Sequence, residues 1–349
     1  MSPPVRLLLI GCGRVCRRYH LPALRHLGKA EIRGIAEPDP RAATAARPAA
    51  EVPVFADAAR LLAEVEADAA LILTPPESHA ALVAGALARE LHVFVEKPLA
   101  DRSGEAIRLA SLAVARGRIL QVGFNRRLRP AYRALRRALR KAGPGPHRFD
   151  LRLRTPGGRW GRGGRDEETL RDELLFDLGS HLVDLAAWLA GTPIAELRAK
   201  PLRLHPRGPE LDAELVLRGG SRAYCRIGYG RRQEERVIVR QAQGLLVATP
   251  WTCHRGTWTA LTGLGDRLRR LADLGGARLG LGRNLTQRTF DTQLDLFLEG
   301  VRRGRADPAV ADAEAGVAAT RAVDAWRRSL AAHGSWMRIE PSTEGTSRS

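Results

Sequence analysis

A single lysine in an arginine-rich chain is the first residue that suggests chemistry. The 349 residues include 57 lysines and arginines, of which only four are lysines: Lys29, Lys97, Lys141 and Lys200. Lys97 lies in "HVFVEKPLA", directly after strand-forming residues, and Pro98 would make the following turn rigid. An ammonium can lose its proton when buried, whereas a guanidinium effectively cannot. Lys97 is therefore a candidate for proton transfer; the alternative is a surface lysine paired with Glu96.

A carboxylate and an imidazole are spaced for a common task in "FDLGSHLVDL". If this segment is helical, Asp177 and His181 stand four residues apart on one face. A histidine that titrates near neutral pH can remove a hydroxyl proton, and the aspartate can orient it or hold a neighbouring hydroxyl. The competing interpretation is a helix start with a capping aspartate and a hydrogen-bonded histidine.

A glycine-rich turn, "LLLIGCGRVCRRYH", follows an apolar strand and opens a helix. Gly11 permits a tight turn, Gly13 lets the backbone approach a pyrophosphate, and Cys16 is small enough for the third position. Glu37 ends the second strand, where a carboxylate accepts hydrogen bonds from ribose hydroxyls, so NAD is favoured; nearby Arg41 leaves NADP as the alternative. A turn without a ligand is the competing interpretation. The cofactor-binding residues predicted here are Gly11, Gly13, Arg14, Val15 and Glu37.

The elements that must position these residues change character near residue 125. Before it, continuous apolar runs alternate with amphipathic helices, which predicts an α/β Rossmann domain with a doubly wound parallel sheet over residues 1–125. After it, a series of short strands predicts an α+β domain over 126–335 with a mostly antiparallel sheet, followed by a flexible tail at 336–349. Residues 250–284 fit no clear pattern.

The distribution of charge and the spacing of cysteines limit which kinds of partner the chain can bind. The net charge of +19 is spread over the whole chain, and its densest patch, "NRRLRPAYRALRRALRKAG", has the spacing of a solvated helix face, so a nucleic-acid partner is disfavoured. The four cysteines lack zinc-type spacing, so we expect no metal. No apolar run approaches a signal-peptide core or a membrane span, which predicts a cytoplasmic protein with no membrane partner.

Five motifs in this order resemble the glucose-fructose oxidoreductase and myo-inositol dehydrogenase (Gfo/Idh/MocA) family. They are the glycine turn, "ILTPPESHAAL", "VFVEKPLA", "VGFNRR" and "DLGSHLVDLAAWLAG". The resemblance implies a Rossmann domain followed by a domain with a large open-faced sheet, with the site between them. Its Glu-Lys-Pro signature falls on Glu96, Lys97 and Pro98, and its second signature falls on Asp177 and His181. Lys97, His181 and Asp177 are thereby the predicted catalytic residues.

The resemblance extends to weaker positions. It places Thr74, Pro75 and His79 along the cofactor near the nicotinamide, with Glu96 and Lys97, although His79 would equally pack at a helix start. Further substrate candidates are Asn125 and Arg126, from the resemblance, and Trp160, from an arginine-rich loop suited to a carboxylate or phosphate on a sugar. One departure stands out, because Arg171, Asp172 and Glu173 replace a glycine run that relatives often carry before the aspartate.

The function implied is an NAD(P)-dependent oxidoreductase that moves hydride between nicotinamide and a secondary alcohol or ketone of a sugar, cyclitol or sugar derivative. The family also implies a homo-oligomer, a dimer or a tetramer. Two alternatives remain: a non-catalytic dinucleotide-binding sensor or regulator, and an enzyme that reduces and reoxidises a tightly held NAD within one cycle. The sequence does not decide whether Lys97 or His181 takes the proton first.

Overall fold

The chain forms two compact units. A computed structural model describes residues 3–47, 52–143, 145–156, 166–204, 208–256, 260–278 and 282–340. The first unit comprises residues 1–128 and 286–320, and the second comprises residues 129–285 and 321–349. Strands and helices are numbered β1–β15 and α1–α11 in chain order. Trp160, a predicted substrate residue, lies outside the described residues.

The first unit contains a seven-stranded sheet in the order β14-β6-β5-β4-β1-β2-β3. Its strands are parallel except for β14, and β1, β4 and β5 are buried along almost their whole length, as continuous apolar runs require. This confirms the predicted doubly wound sheet. The strands are β1 (Val5–Ile10), β2 (Ala30–Ala36), β3 (Val54–Phe55), β4 (Ala69–Ile72), β5 (His92–Val95), β6 (Leu120–Val122) and β14 (Ala311–Asp312).

Helices connect these strands, and local chemistry sets where some of them begin. Asp39 and Asp57 each accept a hydrogen bond from a main-chain N–H two residues on, and so cap α2 and α3. A π-helical segment, Cys16–His20, leads directly into α1. The helices of this unit are α1 (Leu21–Leu27), α2 (Pro40–Ala46), α3 (Ala58–Glu64), α4 (Pro76–Ala88), α5 (Ser103–Ala115) and nearly all of α10 (Leu285–Arg303).

The second unit contains an eight-stranded sheet in the order β13-β12-β11-β7-β10-β9-β8-β15. All neighbours are antiparallel except β7 and β10, which confirms the predicted mostly antiparallel sheet. Burial alternates along β7 and β11, so one face is apolar and the other is polar. The strands are β7 (Arg148–Thr155), β8 (Ile194–Ala199), β9 (Glu210–Leu217), β10 (Arg222–Tyr229), β11 (Glu234–Gln241), β12 (Gly244–Ala248), β13 (Cys253–Arg255) and β15 (Met337–Arg338).

The helices of the second unit include one long interrupted rod. Helix α7 (Glu167–Leu174) continues through a π-helical segment, Leu175–Gly179, into α8 (Ser180–Ala190). Helix α6 (Pro130–Ala142) packs against β12 and β13. Helix α9 (Ala260–Arg278) fills part of the stretch that the sequence left unassigned. The last helix, α11 (Ala313–Ala331), runs across the boundary between the two units at Thr320.

The division into units is not linear along the chain, in contrast to the predicted boundaries. Residues 286–320 return to the first unit, because α10 contributes Phe290, Leu294, Phe297 and Leu298 to the core around β1. At the other end, Met337 and Arg338 pair with β8 as an edge strand inside the predicted tail, of which residues 341–349 lie outside the described part. Neither return has a local sequence signal, since each depends on packing partners far away in the chain.

Candidate active site

The predicted functional residues of the first unit lie together at one edge of its sheet. Strands β5, β4, β1 and β2 are consecutive neighbours and parallel, so their carboxyl ends lie side by side. Glu96 and Lys97 follow β5, Thr74 follows β4, Gly11 follows β1, and Glu37 follows β2. Ligands of doubly wound sheets bind outside the carboxyl ends of the strands. Four separate sequence motifs therefore converge on a single ligand-binding edge.

Glu96 forms a buried polar pair at this edge. Its Oε1 lies 2.8 Å from Nε2 of His20, which is fully buried, and its Oε2 accepts the main-chain N–H of Lys97 at 3.2 Å. Burial alone would raise the pKa of Glu96, but the hydrogen bond from His20 and the nearby charges of His20 and Lys97 outweigh it and lower the pKa below its ordinary value. Glu96 is thus held as a carboxylate directly behind Lys97.

His20 is held in an aromatic setting. Its ring meets Phe94 and Phe290 edge-on, with centroids 5.4 and 5.1 Å away. In the described part of the chain its Nδ1 has no hydrogen-bond partner, whereas its Nε2 faces Glu96, so Nε2 carries the proton that is donated to the carboxylate. His20 is a site residue that the sequence analysis missed. Its partner lies 76 residues away, so no local spacing could have shown the pair.

His79 holds two loops of the same edge together. Its Nδ1 lies 2.7 Å from the carbonyl oxygen of Pro98, and its Nε2 lies 2.9 Å from that of Thr74. Burial lowers the pKa of His79, although both backbone contacts oppose that shift. A neutral imidazole carries one N–H and so donates to one of these two oxygens, while its ring lies between the segments that carry Thr74 and Pro98. The peptide bond between Lys97 and Pro98 is cis.

The glycine-rich turn has the shape of a phosphate cradle. Gly11 has a φ of +89°, and a Cβ there would lie 2.7 Å from Cγ2 of Thr74, so only glycine fits. A Cβ on Gly13 would meet nothing within 4 Å, so the backbone there is open to a pyrophosphate. Glu37 supports the turn by accepting the N–H groups of Cys12 at 2.6 Å and Asp39 at 3.0 Å. Arg14 and Val15 then begin the helix. These residues fit a dinucleotide.

The remaining predicted positions of the first unit have structural roles that the sequence did not show. Pro75 precedes α4, and Thr74 Oγ1 accepts a hydrogen bond from Ser78 at 2.7 Å. Asn125 donates its amide to Thr289 Oγ1 at 3.3 Å, which ties the segment after β6 to α10. Arg126 is half-buried in the short 3₁₀ turn of Asn125–Leu128. The predicted cofactor contacts of Thr74 and Pro75 and the predicted substrate contacts of Asn125 and Arg126 remain predictions.

In the second unit, Asp177 and His181 lie on the interrupted rod. Asp177 is part of the π-helical segment and lies 3.4 Å from the hydroxyl of Tyr229, whereas His181 is buried in the first turn of α8. Four residues advance a π-helix by slightly less than a full turn and an α-helix by slightly more, so both side chains stay on one side of the rod. Single π turns are frequent at functional sites.

The residues that replace the family's glycine run form a helix. Asp172 makes an ion pair with Arg327 on α11 at 2.9 Å, and Arg171 pairs with Glu167 one turn earlier. The carbonyl of Glu173 lies 3.4 Å from the hydroxyl of Tyr229. A charged, anchored α7 therefore leads into Asp177 in place of the glycine run that the resemblance led us to expect.

The described ranges contain neither a metal-binding cluster nor a membrane-spanning helix. No group of three or more histidine, cysteine, aspartate or glutamate side chains could hold a metal ion there. No helix of that part is both long and apolar enough to cross a bilayer.

Comparisons with known proteins agree with this geometry. The family model of Gfo/Idh/MocA proteins, described as "Oxidoreductase family, NAD-binding Rossmann fold", matches residues 5–124. An inositol 2-dehydrogenase from Leifsonia xyli subsp. xyli (strain CTCB07) is 29% identical over 310 residues, which cover 87% of this chain and 86% of the relative. The Rossmann half of the chain, residues 5–124, thus matches the Gfo/Idh/MocA family of oxidoreductases, as the sequence motifs predicted.

Solved structures share the fold of the chain over almost its whole length. Myo-inositol dehydrogenase from Lactobacillus casei, in complex with NAD(H) and myo-inositol, has a TM-score of 0.77 at 19% identity, covering 98% of this chain and 99% of the other. The WlbA dehydrogenase from Bordetella pertussis, in complex with NADH and UDP-GlcNAcA, has the same TM-score of 0.77, the same 19% identity and the same coverage of both chains. At this identity the likeness concerns architecture, and it confirms the predicted order of a Rossmann unit followed by an open-sheet unit.

Proposed function

We propose that this Gfo/Idh/MocA oxidoreductase is an NAD-dependent dehydrogenase that interconverts a secondary alcohol and a ketone on a cyclitol or sugar derivative. The observation that carries the proposal is the burial of two adjacent ionisable residues, Glu96 and Lys97, at the sheet edge that also bears the glycine turn and Glu37. The main-chain N–H of Lys97 donates to the Glu96 carboxylate. A protein that only bound the dinucleotide would have no need of an ionisable pair buried at that edge. The turn and Glu37 account for NAD, and the pair accounts for chemistry on an oxygen.

Lys97, His181 and Asp177 are the catalytic residues of this proposal. Lys97 would donate a hydrogen bond to the reacting oxygen and stabilise the alkoxide that develops there. His181 would take the hydroxyl proton, and Asp177 would orient the histidine and a neighbouring hydroxyl. Bound NAD supplies the acceptor for the hydride that leaves the same carbon. In the reverse direction the same side chains return the proton to the carbonyl oxygen.

Cyclitols are the first substrates to test. The Leifsonia relative carries the name inositol 2-dehydrogenase and is similar along most of both chains. Nucleotide-linked sugars are the second group, because the structural relative from Bordetella was crystallised with one. A panel of myo-inositol, scyllo-inositol and UDP-linked uronic acids, with NAD reduction as the readout, separates these groups.

The decisive experiment compares two lysines. Lys97→Ala should lower kcat/KM by about 10²- to 10⁴-fold, the usual contribution of a group that moves a proton, with NAD binding retained. Lys200→Ala is the matched control, since Lys200 lies half-exposed beside Glu214 on the second sheet, and near-normal rates are expected. His181→Ala should resemble Lys97→Ala. Near-normal turnover in both site variants would overturn the proposal.

We propose further that the protein forms a dimer or tetramer. The support is the outer face of the second sheet, which presents half-exposed charged and aromatic side chains along β8, β9 and β10. A sedimentation velocity experiment measures the mass directly, and a monomer at micromolar concentration would contradict this part.

A further inference from the structure

Helix α9 turns its polar side toward its own unit and its leucines outward. Asp266, Arg270 and Asp273 recur at intervals of four and three residues and make the inward contacts. Asp266 accepts hydrogen bonds from Thr249 and Thr252, the latter at 3.3 Å. An amphipathic helix on a globular protein normally buries its apolar stripe. In α9, by contrast, polar contacts hold the polar side against the unit and leave the apolar stripe exposed.

Two more residues, Arg270 and Asp273, hold α9 in this rotation. Arg270 donates to Gln233 Oε1 at 3.1 Å and lies over the ring of Trp251, with 5.9 Å to its centroid. Both carboxylate oxygens of Asp273 accept the main-chain N–H of Leu285, at 3.0 and 2.9 Å. Rotating the helix to bury its leucines would break all of these bonds, so the exposed stripe is a fixed feature of the unit.

The outward side is a leucine seam, which comprises Leu264, Leu268, Leu271 and Leu274. Their exposed fractions are 53%, 58%, 66% and 39%, and they follow one another at intervals of four, three and three residues. At about 100° per residue the seam occupies one side of the helix over roughly 15 Å. The seam therefore has the spacing that packs against a second helix.

The charges around the seam are positive. Arg267 and Arg278 are exposed on the side of the seam, while the only acidic residues of α9, Asp266 and Asp273, are the inward anchors. A matching surface must therefore be negative.

Three occupants compete for such a seam. A second copy of α9 would bring arginines against arginines, which costs free energy. A membrane surface favours a wide apolar side with aromatic anchors, whereas this seam is narrow and contains Gly275, where an added Cβ would meet nothing within 4 Å. An open glycine beside leucines at helical spacing suits the close approach of another backbone.

We infer that the leucine seam of α9 is a docking surface for an amphipathic helix of a partner protein with an apolar face flanked by acidic side chains. The short seam places the contact among small, transient interfaces. This inference does not depend on the proposed dehydrogenase activity, because α9 contains none of the residues assigned to catalysis or cofactor binding.

The test measures binding of the full chain to a labelled synthetic helix of about three heptads, with leucine at the seam and glutamate on both flanks. Micromolar binding that weakens with salt is expected, and a peptide with lysine in place of glutamate should bind at least about tenfold more weakly. Leu268→Gln combined with Leu271→Gln should abolish binding. Val114→Gln, at a 78% exposed apolar residue on α5, is the control and should change nothing.

Four results would overturn the inference. The first is equal binding of the two peptides, or none. The second is a fall in mass of the protein caused by the double glutamine variant, which would assign the seam to self-association. The third is binding to phosphatidylglycerol vesicles that the double variant loses, which would assign it to a membrane. The fourth is a large loss of thermal stability in the double variant, which would show that the leucines are packed in solution.

Discussion

The two sheets of this protein use charged side chains in opposite ways. In the parallel sheet of the first unit, the central strands β4 and β5 are buried and largely apolar, and the ionisable groups lie at their ends, where Glu96 meets His20. In the sheet of the second unit, charged residues alternate along whole strands, as in the pairs of Arg198 with Glu214 and Arg226 with Asp212. A sheet covered on both faces leaves only its ends for chemistry, whereas a sheet with one polar face can carry charge along its length.

Burial decides how much each ion pair contributes to the free energy of unfolding. The inner face of the second sheet also carries a buried ion pair, in which Arg129 Nη1 lies 2.5 Å from Glu235 Oε1, and the hydroxyl of Tyr132 donates to the same oxygen at 3.0 Å. Both units thus contain buried polar pairs, and we expect the stability effects to differ between buried and solvent-exposed pairs rather than between the two units. Four predictions test this contrast.

The largest effect is expected at Glu235. Glu235→Gln leaves the Arg129 guanidinium buried beside a neutral partner, which should lower the free energy of unfolding by about 3–5 kcal/mol in urea titration. Replacing both residues with apolar side chains should recover much of that loss, because no buried charge then remains. A cost below about 1 kcal/mol for the single variant would show that water reaches this pair.

The second prediction concerns His20. His20→Leu removes the donor to the buried Glu96 carboxylate and should cost about 2–3 kcal/mol near neutral pH, whereas His20→Gln retains a donor and should cost less. In the wild type the pKa of Glu96 lies below its unfolded value, so its contribution is present above about pH 4.5 and is lost as the pH falls through the folded pKa. The gap between the wild type and His20→Leu should therefore narrow in acid. A pH-independent gap would refute the role assigned to this hydrogen bond.

The third prediction is a pH dependence that originates at His79. Its pKa lies below the ordinary value of 6.5 in the folded chain, so below that pH the unfolded state binds more protons and stability falls. The loss should be at most about 1.4 kcal/mol per pH unit for this one group. His92, whose pKa burial and Arg118 also lower, contributes with the same sign.

Two matched variants test whether His79 causes this dependence of the unfolding free energy on pH. His79→Gln should flatten the dependence of unfolding free energy on pH between about pH 6.5 and 5, while His92→Gln should leave the His79 part in place. Identical slopes in the wild type and His79→Gln would contradict the assignment.

The smallest effect is expected on the polar face of the second sheet. Arg198 lies 2.8 Å from Glu214 with 42% of its side chain exposed, so Arg198→Ala should cost less than about 1 kcal/mol, and less still at high salt. A cost above about 2 kcal/mol would mean that this face is enclosed in solution, as it would be inside an oligomer interface.

The sequence predicted what depends on local pattern. Apolar runs with intervening helices predicted the parallel sheet, alternation predicted the second sheet, and glycines after a strand predicted the turn at Gly11. It missed what depends on distant partners, such as the contact of His20 with Glu96. It also left α9 unassigned, because four glycines flank the leucine pattern and lower the helix propensity of the segment, namely Gly263, Gly265, Gly275 and Gly276.

The route of the chain through the first unit bears on how the protein is made. Phe290, Leu294, Phe297 and Leu298 belong to the same core as Leu7, Leu9 and Phe94, yet they are synthesised after every strand of the second sheet except β15. During translation, the nucleotide-binding half must therefore wait with an open apolar flank while more than 150 further residues emerge. A gene truncated after the first 128 codons would encode the glycine turn and the lysine, but not the helix that closes the core beneath them.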